Sequence, residues 1–237
     1  MPNVKTQPAL GIRKERALVT RRRMLAAAYE LFCESGYAPV TMAAIAERAG
    51  VAVQTLHFTF HTKAELLAEV VRVYSSGADD PIPVMDRPWV RESLATPDPR
   101  RQLALTIEHG TEIYVRMAPL TRAIQSAASV DADVAELWDQ TAIGRRAGMR
   151  RMVDGLAAKG GLAPGLTAER ATDLIFVLQS HETFLGLTAG CGWTVPEYKA
   201  WQYRNLCLQI LGDSSPGRLL KAAEGLSFQE LLKAASA

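Results

Sequence analysis

The chain has 237 residues, 48% of them hydrophobic and 22% charged, with a formal net charge of +2. This is ordinary globular usage, so it excludes a fibrous, low-complexity or wholly disordered protein. The length fits one ordinary domain, or a small domain followed by a larger one.

No run of about 18 apolar residues occurs, so no membrane span is expected. The first residues lack the apolar stretch of a secretory signal, which makes a cytoplasmic location the default expectation. Cys33, Cys191 and Cys207 are far apart and share no metal-ligand spacing. Each sits in an apolar helical pattern and is expected to be a buried free thiol. Charge is unevenly distributed. The first 70 residues hold nine Lys or Arg against six Glu, with Arg13, Lys14, Arg16, Arg21, Arg22 and Arg23 clustered together. Such a cluster suits a polyanion.

Residues 1–12 carry two prolines and no hydrophobic period, and read as a flexible arm. From Arg13 the apolar residues Leu18, Met24, Leu25, Ala28, Leu31 and Phe32 recur at offsets of three and four, which predicts a helix stopped by Gly36. Thr41 is a good N-cap for a short helix ending at Ala49. Gly50 and Val51 follow, then a second short helix over 52–58. Thr62 caps a third helix running to about residue 75. Residues 77–88 hold three prolines and form a connector between a first domain, 13–76, and a second, 77–237.

The second domain also reads as helical. Helices are expected at 88–95, at 98–129 with a break or kink before Pro119, at 131–159, at 168–188 and at 196–211, with a weak last helix at 227–235. No alternating strand pattern of useful length appears, so the fold class is all-α.

Two short helices joined by a tight turn containing Gly form a helix-turn-helix, whose second helix enters the major groove of DNA. Ala46 is small where the helices cross, and Gly50 supplies a positive φ. The residues of the second helix not needed for packing are Val53, Gln54, Thr55 and His57. Gln pairs bidentately with adenine, and Thr meets base edges or a thymine methyl. Thr41 with its neighbour Met42, the run Arg21, Arg22, Arg23, and the helix start at His61, Thr62 and Lys63 are placed for phosphates. Spacing alone leaves a plain helical hairpin with a solvated polar face as the alternative.

Residues 21–71 resemble the N-terminal domain of the tetracycline-repressor (TetR) family. The likeness rests on Leu31–Phe32, Gly36–Tyr37, Thr41, Ile45–Ala46, Ala49–Gly50–Val51, Phe60, Lys63 and Leu66–Leu67, in that order and spacing. It implies DNA contacts by Thr41, Gln54, Thr55, His57 and Lys63. Gln54 stands where the family favours a small residue. His57 stands where it favours a Tyr that touches phosphate, a hydrogen bond that His also donates.

The resemblance further implies a helical C-terminal body that binds a small molecule and forms a homodimer through its last two long helices. The stripe Leu174, Val177, Leu178, His181, Leu185 and Thr188 fits such a seam, as does Trp201, Leu206, Leu208 and Leu211. Both also fit a monomer core. Candidate ligand-lining residues are Trp89, His109, Tyr114, Met117, Gln125, Trp138, Phe176 and His181, which suit a hydrophobic or aromatic effector. The chain shows no nucleophile elbow, zinc-protease motif or phosphate-cradling loop. His57 and His61 are spaced to share a metal but have no evident third ligand. No catalytic residue and no cofactor is therefore expected. The partners expected are a double-stranded DNA operator, a second copy of the chain and a small effector, with no membrane. A helical interaction or small-molecule-binding protein without specific DNA binding is the competing class.

Overall fold

The structure, a computed structural model, describes residues 9–77 and 82–212. Among the described residues there are helices and turns and no strand. None of these helices is long and apolar enough to cross a membrane. The weak helix expected at 227–235, the start of the expected arm and the middle of the 77–88 connector lie outside the described residues. The chain divides into two compact units. The first is Met1–Pro81 with Pro119–Trp138, and the second is Ile82–Ala118 with Asp139–Ala237.

The first unit begins with helix α1, Ala9–Ser35. It starts earlier than the apolar pattern indicated, so residues 9–12 belong to a helix and not to an arm. Helices α2 (Met42–Ala49), α3 (Val53–Thr59) and α4 (Lys63–Ser76) follow. α1 packs on α2 and α4, and α2 packs on α3. Met24, Phe32, Ile45, Ala46, Leu56, Phe60, Leu66, Leu67 and Val70 are buried between them. Burying each large apolar side chain contributes about 1.5–3 kcal/mol. Helices as short as α2 and α3 depend on that packing, because they are marginal alone in water. Leu120, Ala123, Ile124, Ala127 and Val134 supply further buried apolar residues in this unit.

The second unit opens with a 3-10 turn, Val84–Asp86, and helix α5, Pro88–Ala95. Helix α6, Pro99–Ala128, gives this unit its residues before 119, and helix α7, Ala132–Ala158, its residues after 138. No break occurs at Pro119: of the break or kink expected there, the break is excluded, because α6 continues through it. The ring costs one backbone hydrogen bond, but Pro119 lies on an exposed face, where the helix tolerates the loss better than in a core. One core cluster joins Leu103, Ile107, Val153, Leu156, Ile175, Leu206 and Ile210. Another joins Tyr114, Ala118, Phe184 and Tyr198. The three cysteines are free, but only Cys207 is buried. Cys33 is half-buried and Cys191 exposed, because Cys191 closes a surface turn and lies outside any packed face.

The helix expected at 168–188 is divided. α8 ends at Leu178, and Ser180 caps a new helix, α9, at His181–Leu185. A π-helical turn, Gly186–Gly190, then leads toward α10, Val195–Leu211. Side chains from three other helices take up the carbonyls left at the end of α8. Arg145 Nη1 donates to Phe176 O at 3.1 Å and to Gln179 O at 2.9 Å. The Tyr114 hydroxyl also donates to Gln179 O, and Gln202 Nε2 donates to Leu178 O. His181 sits beside this break, edge-on to Tyr114 with ring centroids 4.9 Å apart, and its Nδ1 has no partner within hydrogen-bond distance.

Burial, reinforced by the nearby Arg145 charge and opposed by Glu182, pushes the His181 pKa down to about 4. Unfolded His181 takes up its proton near the ordinary value, before the folded protein does. Stability from this group is therefore complete above about pH 6.5 and is lost progressively as pH falls toward 4. The melting temperature of the wild type should drop over that window. His181→Phe should flatten the difference, as read by thermal melts from about pH 7.5 to 4.5.

Candidate nucleic-acid interface

The two helices of the expected reader are fixed at their ends. The Thr41 hydroxyl accepts from the Ala44 N–H at 3.1 Å, which caps α2. At the other end Gly50 adopts φ +63°, a left-handed conformation that L side chains rarely take. Its N–H donates to Glu47 O at 3.0 Å and the Val51 N–H to Ala46 O at 3.0 Å. Arg23 Nη2 reaches over from α1 to donate to Ala49 O, and to Gly50 O at 3.3 Å. A Cβ on Gly50 would stand 2.5 Å from that same nitrogen.

α3 is held from below and open above. Leu56 and Phe60 are buried, while Gln54, Thr55 and His57 are exposed and Val53 is half-buried. Phe58, not among the residues expected on this face, is 84% exposed on the same helix. An aromatic ring that follows a buried Leu by two positions lies off the packed stripe, and that offset was the available signal. His57 Nδ1 lies 3.5 Å from His61 O. His61 and Thr62 are exposed at the start of α4, where the Thr62 hydroxyl accepts from the Glu65 N–H at 3.0 Å and Glu65 accepts from the His61 N–H at 3.2 Å.

Lys63 is half-buried. Its Nζ donates to Tyr37 O and Val40 O, each at 3.0 Å, and to Ala38 O at 3.4 Å. It also lies 4.0 Å from the centre of the Tyr37 ring. The ammonium thus serves the loop between α1 and α2, and burial pushes its pKa down. The Tyr37 hydroxyl in turn hydrogen-bonds Asp131, whose carboxylate accepts from the N–H groups of Asp133 and Val134 at the start of α7. Of the three clustered arginines, Arg21 pairs with Glu69 and covers the Phe60 ring at 4.6 Å. Hydrogen bonds from Arg72 and Arg21 hold the Glu69 carboxyl below its usual range. Arg22 is exposed, Arg23 caps α2, and Met42 is half-buried.

The eight candidate ligand residues are dispersed. Trp89 stacks on His109 with centroids 5.0 Å apart, and His109 Nδ1 lies 3.4 Å from Glu112. Tyr114 and His181 meet at the helix break, and Phe176 lies under the Arg145 guanidinium at 3.9 Å. Met117 is buried, Trp138 half-buried and Gln125 exposed. The last two fall in the first unit. The second unit has an open pocket of about 240 Å³ lined by Thr111, Glu112, Val115, Arg116, Val195 and Lys199. None of these is among the eight.

Residues 24–70 match the profile of the bacterial regulatory proteins, tetR family. They are a tetR-family domain. No curated protein matches the chain. Among solved structures, a TetR transcription regulator from Haloarcula marismortui superposes with TM-score 0.58 at 16% identity, over 79% of this chain and 94% of that one. Salmonella enterica GusR gives 0.59 at 19%, over 88% and 99%. FadR from Bacillus subtilis, solved with stearoyl-CoA, gives 0.58 at 16%, over 78% and 96%. These likenesses show that the helical part beyond the tetR-family domain shares the same fold as well.

Two substitutions test the fixed ends of the tetR-family domain. Lys63→Met removes the donor to three carbonyls and should cost about 2 kcal/mol in urea unfolding of the full chain. Gly50→Ala forces both a positive φ on a Cβ and retreat of the Arg23 guanidinium, and should cost about 1–2 kcal/mol by the same measurement.

Proposed function

We propose that the chain is a transcriptional repressor that binds a near-palindromic operator as a homodimer and is released by a small organic effector. The observation that carries this reading is the outer face of α3. Gln54, Thr55, His57 and Phe58 are all exposed on a helix whose inner residue, Leu56, is fully buried. A rigid seven-residue helix with amide, hydroxyl, imidazole and aromatic groups outward has the equipment for major-groove readout. Gln54 and Thr55 take base edges, and Phe58 takes a thymine methyl. Arg22, Thr41, Met42, Val53, His57, His61 and Thr62 flank them toward the phosphates. Lys63 reaches a phosphate only by giving up its carbonyls, so its contribution is to hold the reader in shape.

Dimerisation is supported by α8 and α10, which pack together and leave Val177 at 63% and Leu208 at 47% exposure. Leu206 is buried in the core, and Leu174, Leu178 and Leu211 pack against it. The seam proposed is therefore narrower than the sequence stripes. Effector binding is supported by the open pocket of the second unit, and by the stearoyl-CoA held by the similarly folded FadR. An effector releases DNA only to the extent that it binds the released state better than the bound one.

Gel shifts on DNA upstream of the chain's own gene, at about 50 mM salt, test the central claim, and no binding there would sink it. Gln54→Ala and Phe58→Ala should each weaken the specific complex by about 1–3 kcal/mol while leaving binding to random DNA nearly unchanged. Arg22→Ala should weaken both alike and lower the salt slope by about one.

A further inference from the structure

Helix α1 runs past the domain that packs on it. Its buried stripe starts at Met24 and Leu25, with Arg21 half-buried before them. Residues 14–19 are all exposed. Even the apolar Leu18 and Val19 stay 47% exposed, so the core of the first unit ends before them. The chain is helical there all the same, from Ala9 onward. At about 1.5 Å per residue, residues 9–20 extend about 18 Å, the length of about five base pairs.

The faces of this extension are set by the two arginines that follow it. Arg21 pairs with Glu69 and lies over the ring of Phe60, the residue that ends α3. Arg23 donates to Ala49 O and Gly50 O, in the turn that enters α3. These two faces of α1 therefore look toward the two ends of the reader helix. Lys14 precedes Arg21, and Arg16 precedes Arg23, by about two helical turns, so each repeats the face of the later residue. At Arg21 and Arg23 the protein supplies the acceptors. At Lys14 and Arg16 it supplies none: both are exposed, and neither side chain has a hydrogen bond or ion pair among the described residues. Glu15 is the only acid among residues 1–20. By the helical period it falls opposite Met24 and Ala28, on the side turned away from the core.

Charge complementarity selects the occupant. A DNA duplex seated on α3 outruns that seven-residue helix in both directions, with a phosphate about every 3.4 Å along each strand. We propose that the first turns of α1 form a second DNA contact, in which Lys14 and Arg16 bind backbone phosphates flanking the bases that face α3. This contact is independent of sequence. It rests on the DNA-binding role proposed above and extends it beyond the helix-turn-helix, to cations that the structure leaves available where Arg21 and Arg23 are engaged.

The test compares the full-length double variant Lys14→Gln with Arg16→Gln against the wild type by fluorescence anisotropy, over about 50 to 300 mM salt. Two probes are used, a random-sequence duplex and the upstream duplex of the gel shifts. Because both side chains are exposed, the variant should melt with the wild type. It should bind both duplexes about tenfold or more weaker at about 50 mM salt, with the salt slope lowered by about two for each protomer bound. The ratio of the two affinities should not change. Equal salt slopes, or a loss confined to the upstream duplex, would overturn the proposal. So would unchanged DNA binding together with lost binding to phosphatidylglycerol vesicles, which would assign the segment to a lipid surface. The random duplex keeps the two readings apart. If the wild type shows no preference for the upstream duplex but the slopes differ on random DNA, the regulator reading fails and this contact stands. Specific upstream binding with equal slopes in both proteins sinks this inference alone.

Discussion

A short helix, such as the eight residues of α2 or the eleven of α8, has little interior. A large share of its N–H groups belongs to the first turn and of its carbonyls to the last, so many are not satisfied from within. Both units of this chain meet that constraint by the same means: donors carried on other helices bind the orphan carbonyls. In the first unit Arg23 from α1 closes α2, and Lys63 from α4 closes the loop that precedes α2. In the second unit Arg145, Tyr114 and Gln202 close the end of α8. Each is a long-range polar bond in a partly or fully buried setting, where leaving the acceptor bare costs more than making the bond gains. The apolar cores hold the helices together, and these bonds satisfy carbonyls that the helix ends and the loop leave open.

That division explains which parts could be read from the sequence. The start of α2 at Thr41, its stop at Gly50 and the start of α4 at Thr62 are local signals, carried by a cap or a glycine within a few residues. The inward stripe through Leu56, Leu66, Leu67 and Val70 is periodic and equally local. The placement of Lys63 and Arg23 is different, because their acceptors lie 23 to 27 residues away. Their positive charge reads locally as phosphate-binding, and only the fold shows the heads turned to carbonyls. Phe58 is apolar and adjacent to His57, so only its offset from the buried Leu56 set it apart from a core residue. The helix break at Gln179 was written in Ser180, an N-cap followed three residues later by Thr183. An unbroken apolar period masked it. The candidate ligand-lining residues were least legible: they were chosen by residue type, and Gln125 and Trp138 fall in the first unit while the other six fall in the second.

A polar relay also runs through the first unit, from the tetR-family domain to a residue distant in sequence. Lys63 lies over the Tyr37 ring, and the Tyr37 hydroxyl bonds Asp131, the residue that caps α7. The start of α4 and the start of α7 are thereby tied through one phenol within a single compact unit. A relay of this kind needs all members satisfied at once, because a half-satisfied buried network is worse than an apolar contact.

The cationic caps also decide what may be transplanted. A recognition helix is often treated as a cassette, to be cut out and grafted where a new specificity is wanted. Here α2 holds eight residues and α3 seven, each fewer than a stable isolated helix requires, and the groups that finish them sit on α1 and α4. The smallest portable piece therefore runs from Arg21 to Val71. A graft that copied only the exposed residues of α3 onto a host lacking the equivalents of Arg23 and Lys63 would carry over the alphabet without the spine of the book.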